Sequence, residues 1–460
     1  MSHLIETIYN LLWGDLFTLP VGGGIGISLM AVLLLTAGVF FTLRTRLLPV
    51  RLFRDMIAAV CEKNQSRDSL SSFQTLIVST ATRVGMGNLV GVVAAVSAGG
   101  AGAVFWMWVT ALLGASTSFV ESTLAQKYRQ PDPLYGGQRG GPAYYIHVLA
   151  ERKRGKKLRH SIIAVLFAIS GLICWCGISQ VVSNSVSEAF QNAFSIPPLV
   201  TTLVLTALAA VIVLRKEATV RSLDVIVPIM AGCYFVMTLW IILTHLTQLP
   251  GVFARIFSEA FGLRQAVGGG FGAVVMNGIK RGLFSNEAGM GSTPHAHAMA
   301  KVKRPHEQGV VAMTGVFIDT FVVLTMTALV VISTLYAGNG ILSAGAAEGV
   351  SKGNMAQLAF GTVLGSRAGS MFVAVCLLFF AFSTILSWNF FGRLNVSWLL
   401  GEKAVGVYSV LAIGFIFLGS CLSNDLVWEL ADLFNQLMVL PNVLALVTLG
   451  GLVAAACRRK

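Results

Sequence analysis

The chain has 460 residues, 55% of them hydrophobic and 12% charged, with a mean hydropathy of +0.76 and a formal net charge of +13. Such a composition excludes an ordinary soluble globular protein, and the lack of roughly ten-residue segments of alternating polarity excludes a membrane β-barrel. What remains is an all-α polytopic membrane protein, because a bilayer core of about 30 Å takes roughly 20 apolar residues per helix and runs of that length recur throughout.

In chain order the apolar runs predict about eleven spans, at 21–43, 73–98, 103–125, 161–187, 197–214, 222–246, 267–285, 309–335, 369–391, 404–422 and 436–456. The N-terminal "MSHLIETIYNLLWGDLF" has no basic n-region and carries Glu6 and Asp15, so the first span is not read as a cleavable signal. Seven cysteines with no metal or disulfide spacing read as small core residues. Of the 33 Lys and Arg, all but seven fall in alternate loops. Arg255, Arg264, Lys352 and Arg367 lie on the other side, and Arg83, Lys280 and Arg281 lie in or near spans. The positive-inside rule then puts the N-terminus outside and the C-terminus in the cytoplasm of a bacterial-type plasma membrane. The basic excess is topological and calls for no nucleic-acid partner. The run "ERKRGKKLR" at 151–159 is an orientation signal first and a contact for anionic membrane lipid second.

An odd span count suggests one extra N-terminal helix before two five-helix halves. The corresponding division is 1–72 for that helix and its connector, 73–248 for the first repeat, 249–456 for the second, inverted repeat, and 457–460 for the tail. The second and seventh spans run in opposite directions, and both are interrupted by glycine, in "RVGMGNLVG" and "GGGFGAVVMNGIKRGLFSNEAGMGS". Paired interruptions of this kind point to an inverted-repeat transporter and to its binding site. Gly85 and Gly87 let the backbone unwind, which at membrane depth is tolerated where it lines a cavity. Half-helix N-termini suit a carboxylate and unwound carbonyls suit sodium, so the pair would hold an amino acid and a coupled cation. The competing explanation is that the glycines serve close helix packing.

The stretches "VGMGN", "GGAGAVFWMWVTALLGASTSFVESTLAQKYR", "GGPAYYI", "RGLFSNEAGMGSTPHAHA" and "GVFIDT" resemble the alanine/glycine:cation symporter family, from the first span to the tryptophan of the ninth. The resemblance implies the 5+5 inverted-repeat fold of the bacterial leucine transporter and sodium as coupling ion, with no other cofactor. It implies backbone carbonyls of Ala81 and Val84 and the hydroxyls of Ser383 and Thr384 around a sodium, with Asn88 holding the unwound segment or a second cation. It implies substrate contacts from Gly85, Met86, Gly87, Thr384 and Trp388, with Phe271, Met276 and Asn277 near the pocket. Trp388 follows Thr384 by four residues and so shares its helix face. Three features depart from the family pattern: Met86 stands where Thr or Ser is common, Val182 in "VVSNS" where Gln is common, and "WNFFGR" replaces a Tyr-Gly-Glu ending. The resemblance implies alanine or glycine as the default substrate, and these departures make an altered substrate on the same fold the alternative.

Arg83 lies well inside a span, where a charge marks a functional site and calls for a partner. Asp319 and Glu287 are the acidic candidates, and a buried ion pair locking the repeats is the favoured reading. Substrate-carboxylate capture and snorkelling are the alternatives. Glu121 reads as an interfacial carboxylate near Lys127, and His295 and His297 sit on opposing helix faces without a third metal ligand. A channel filter, or the nucleophile and base of an enzyme, is not visible. The sequence reads as a secondary transporter sufficient as a monomer, with proton coupling through Asp319 or Glu287 as the alternative to sodium.

Overall fold

A computed structural model describes residues 7, 10, 14–19, 25–61, 71–133, 137–214, 218–262, 270–336, 340–342, 352–419 and 424–449. Two short antiparallel pairs, β1 (Asp15–Leu19) with β2 (Ile25–Ser28) and β3 (Gln130–Pro131) with β4 (Gln138–Arg139), accompany an otherwise helical chain. The helices are α1 (Leu29–Arg44), α2 (Leu48–Arg51), α3 (Phe53–Cys61), α4 (Ser72–Arg83), α5 (Val92–Gly99), α6 (Ala103–Lys127), α7 (Pro142–Arg154), α8 (Ile162–Phe194), α9 (Pro198–Val213) and α10 (Ala218–Thr244). They continue with α11 (Leu249–Ala260), α12 (Phe271–Asn286), α13 (Pro294–Ala298), α14 (Pro305–Phe317), α15 (Thr325–Leu335), α16 (Lys352–Leu364), α17 (Ser366–Leu400), α18 (Ala404–Leu418) and α19 (Asn424–Thr448). π-helical turns at Gly87–Gly91 and Ile318–Leu324 lead into α5 and join α14 to α15.

Among the described residues, five helices are long and apolar enough to cross a membrane: α6, α8, Val225–Thr244 of α10, Pro305–Leu335 and α17. The pair Ser72–Arg83 and Gly87–Gly99, bent by 50°, makes a sixth if it is one span, and Leu29–Arg44, Pro198–Val213, Ala404–Leu418 and Asp432–Thr448 are shorter apolar helices. The expected first span starts too early. Residues 25–28 are strand, and the helix begins only where Ser28 Oγ accepts from Ala31 N at 3.2 Å, an N-cap that closes the glycine-rich "VGGGIGIS". The expected seventh span is the 16-residue α12, which carries Lys280 and Arg281 and stops at Asn286. The expected ninth span runs on to Leu400, so Arg393, assigned from sequence to a loop, is buried inside α17. The end of the eleventh expected span, beyond residue 449, lies outside the described residues.

Helices α6, α8, α14, α17 and α19 form the centre of the bundle, and α12 packs along α6. Gly278 and Gly282 of α12 serve that contact: a Cβ on Gly278 would sit 2.5 Å from both the Ala103 carbonyl oxygen and Trp106 Cβ, and one on Gly282 would meet Thr110 and Met107. Close packing therefore explains this part of the glycine-rich seventh span. The apolar exterior is ordinary for a lipid-facing surface, with α9 presenting Leu199, Leu203, Val204, Leu208 and Val211 outward.

Candidate functional site

Two interruptions meet in the middle of the bundle. The first is set by a capping box that starts α4, with Gln74 N donating to Ser71 Oγ and Ser71 N donating to Gln74 Oε1, each at 3.1 Å. The helix stops at Arg83, and Val84 leaves helical geometry at φ −75, ψ 85. Asn88 closes the unwound turn by accepting from Gly85 N at 3.2 Å, and its amide donates to Asp319 O at 3.1 Å and Asp319 Oδ1 at 2.9 Å. One side chain thus ties the first break to the π-helical turn at Ile318–Leu324. Such turns are enriched at functional sites.

The second interruption follows α12 instead of lying among its glycines. Glu287 adopts a left-handed conformation at φ 53, and Gly289 and Gly291 stand at φ +87 and +82, where a side chain would be strained. Glu287 Oε2 accepts from Thr82 Oγ1 at 3.0 Å and from Ser292 Oγ at 2.5 Å, joining the second break to the first. Gly87 lies against the end of α12, since a Cβ there would be 3.2 Å from Ser285 Cα.

Arg83 is 1% exposed, yet it does not form the expected ion pair. Its Nη1 donates to Ala312 O at 3.1 Å, and its Nη2 donates to Ser118 Oγ and Thr293 Oγ1, both at 2.9 Å. Among the described residues no carboxylate lies within ion-pair distance of it. Glu287, Asp319 and Glu121 act on it at longer range. The two expected partners are engaged elsewhere: Glu287 as above, and Asp319 by Asn88, Ser285 and Thr320. Neutral oxygens from α6, α14 and the second break therefore solvate the guanidinium and clasp those elements to α4. A snorkelling Arg83 is ruled out by its burial.

A cavity of about 20 Å³ lies between the breaks. Met86 and Gly87 line it from the first break, Ile178 and Val182 from α8, Phe284, Glu287 and Met290 from the second break, Thr384 and Trp388 from α17, and Asn435 from α19. Thr82 and Arg83 complete it. A single water needs roughly 10–15 Å³ on this measure, so the conformation is closed, and an amino acid enters only if side chains move. Phe271, Met276 and Asn277 do not line it. Phe271 and Met276 pack with Ala31, Val275 and Ile279, and Asn277 donates to Ala273 O of its own helix at 2.9 Å. From sequence the glycine run marks the second break, but the chain breaks at "SNEAG" and the glycines after it, where φ turns positive at Glu287, Gly289 and Gly291.

Beside the cavity three oxygens converge. Ser383 Oγ is 3.4 Å and Thr384 Oγ1 3.5 Å from the Ala81 carbonyl oxygen, and Val84 caps the same helix end. Gly85 adjoins them, as a Cβ there would be 2.8 Å from Thr384 Oγ1. Neutral carbonyl and hydroxyl oxygens suit a hard monovalent cation. Thr384 belongs both to this cluster and to the cavity lining; Ser383 belongs to the cluster only.

Two further groups, Glu121 and the Lys280–Arg281 pair, differ from the sequence reading or go beyond it. Glu121 is not interfacial: it is fully buried because α6 is covered at that depth, and it accepts from Asn442 Nδ2 at 2.6 Å. Lys280 and Arg281, given no partner from sequence, converge on Asp432 of α19 at 2.8 and 2.9 Å. His295 and His297 are buried and hydrogen-bonded to Ser292 O and Gln308 Oε1, and no metal-ligating cluster occurs among the described residues. Asn435 was also missed; it accepts from Cys174 Sγ at 2.8 Å and reaches the cavity.

The family model of the sodium:alanine symporters matches residues 20–459. The chain belongs to that family. This sodium:alanine symporter family member is 37% identical to the probable sodium/glutamine symporter GlnT of Bacillus subtilis, over all of this chain and 90% of that one. It is 38% identical to the amino-acid carrier protein AlsT of the same organism, over 97% and 90% of the two chains. To the sodium/alanine symporter AgcS of Methanococcus maripaludis it is 35% identical over 98% and 95%. Among solved structures, MhsT in complex with L-phenylalanine superposes with a TM-score of 0.54 at 12% identity, covering 86% of this chain and all of that one, which shows a shared fold. The family member is thus a secondary amino-acid transporter and a multi-pass membrane protein of that fold.

Proposed function

We propose that this protein is a sodium-coupled symporter that brings a small neutral amino acid, by default alanine or glycine, into the cell by alternating access. Ala81, Val84, Ser383 and Thr384 hold the sodium; Gly85, Met86, Gly87, Val182, Thr384 and Trp388 surround the substrate, joined by Phe284, Met290 and Asn435. Asn88 fixes the unwound turn, and the Arg83 clasp holds the breaks in register. The observation that carries this reading is that Thr384 serves both the oxygen cluster and the cavity. Ion and substrate then share a wall, the arrangement coupling needs. The shorter apolar helices also cross the membrane in this reading, giving eleven spans as one helix plus two inverted five-helix repeats, with the N-terminus outside, the C-terminus in the cytoplasm and a monomer sufficient for transport.

The test is uptake of labelled amino acids into proteoliposomes under an inward sodium gradient, against potassium. A second reading, proton coupling, rests on the buried acids Glu121, Glu287 and Asp319 around Arg83, of which Glu121 Oε2 has no hydrogen-bond partner among the described residues. A relative 38% identical to this chain is named a putative sodium/proton-dependent alanine carrier. Accumulation driven by a pH gradient without sodium would favour this second reading.

A further inference from the structure

We propose that the basic face of the protein carries a site for an anionic phospholipid, its phosphate held by Lys153, Arg154 and the amino end of α8 and its acyl chains lying on Ile162 and Ile163. A cavity of about 430 Å³, far larger than the one between the breaks, opens where α7 ends and α8 begins. Lys153, Arg154, His160 and Ser161 supply its polar wall, and Ile162 and Ile163 are part of its apolar wall.

Two independent observations point to an anion. The 33-residue α8 starts from Ser161 with no side-chain cap, so the free N–H groups of its first turn and the positive end of its dipole face the region. Ser161 Oγ, in a residue 5% exposed, is buried at the cavity wall with no hydrogen-bond partner among the described residues. The acid of this segment, Glu151, is engaged by Leu158 N at 2.8 Å and His147 at 3.6 Å. Lys153 Nζ donates to Thr448 O at 3.3 Å across the cavity, leaving two of its donors for a ligand.

The apolar half decides for a lipid over a free anion. Ile162 is 70% exposed and Ile163 38%, and Leu166, one turn on, is 52% exposed, a strip that starts at the charged groups and continues along a helix apolar enough to cross the membrane. A phosphodiester with acyl chains matches this order of charge followed by hydrocarbon. Basic pockets between helices bind anionic headgroups, and each cation near an anionic surface adds roughly fivefold in affinity.

The experiment is native mass spectrometry of the full chain in detergent, titrated with phosphatidylglycerol, with phosphatidylcholine, and with phosphatidylglycerol plus millimolar inorganic phosphate. The proposal predicts a saturable phosphatidylglycerol adduct, at least tenfold weaker in the Lys153→Gln/Arg154→Gln double variant and in competition unaffected by phosphate. Lys156→Gln/Lys157→Gln, outside the cavity lining, keeps wild-type binding. Equal loss in both double variants, equal binding of phosphatidylcholine, or displacement by inorganic phosphate would each overturn it. Ser161→Ala, which leaves the surface charges in place, gives a smaller but measurable weakening; no change there counts against the helix end as the phosphate seat.

Discussion

In the proposed assignment, Ser383→Ala separates the ion site from the substrate site. Its hydroxyl lies 3.4 Å from the Ala81 carbonyl and 2.9 Å from Phe380 O of its own helix, and it does not line the cavity. Removing it takes one oxygen from a bound cation and nothing from an amino acid. The helix itself is not weakened, because alanine is the better helix former. A contact to a charged group contributes about 1.5–3 kcal/mol, so half-saturation by sodium rises roughly 10- to 100-fold. The assay is initial-rate uptake in proteoliposomes at saturating amino acid with sodium varied, repeated across an amino-acid panel at saturating sodium. The ranking of substrates stays the same. Thr384→Ala, which touches both sites, shifts sodium dependence and ranking together. A Ser383→Ala protein with unchanged sodium half-saturation and an altered ranking would refute the assignment.

Other consequences are equally open to measurement. Met86→Thr trims an apolar wall of the cavity and changes which amino acid competes best for uptake, leaving sodium half-saturation within about threefold, a shift under 1 kcal/mol. Arg83→Leu leaves Ser118, Thr293 and the Ala312 carbonyl without their donor, each costing about 1–3 kcal/mol if it stays buried. Arg83→Lys keeps the charge but not the planar fork, so transport falls in the order wild type, Lys, Leu; wild-type uptake by the Leu variant would deny the clasp. Asp432→Asn removes the negative charge that Lys280 and Arg281 share and lowers stability by about 3–5 kcal/mol in thermal or denaturant unfolding, whereas an unchanged transition would mean the triad contributes nothing. Gly278→Ala forces α12 off α6 and costs about 1–3 kcal/mol, read as a lowered unfolding temperature with cross-link distances between the two helices increased.

The membrane class, the first break and the residues around it were legible because hydropathy and a glycine-flanked Asn act locally: "RVGMGN" unwinds where its own residues dictate. The second break was misplaced because glycine has two uses. Gly278 has a partner helix against its bare Cα, a fact of tertiary packing, while Gly289 and Gly291 turn the chain through positive φ. The motif "SNEAG" held the clue. The partners of Arg83 were not legible, since a charge can be solvated by hydroxyls and carbonyls as well as by a carboxylate, and Ser118, Thr293 and Ala312 are brought to it only by the fold. Glu121 was misread for the same reason. Its neighbour Lys127 in sequence suggested an interface, but Asn442, 321 residues away, is its partner in space.

The most direct test of the central claim is accumulation of labelled alanine and glycine in proteoliposomes holding the purified protein, driven by an inward sodium gradient alone. Sodium-coupled symport gives concentrative uptake that collapses when potassium replaces sodium and persists when the pH gradient is dissipated. Uptake that follows a pH gradient and ignores sodium would contradict it and shift the coupling role to Glu121, Glu287 and Asp319.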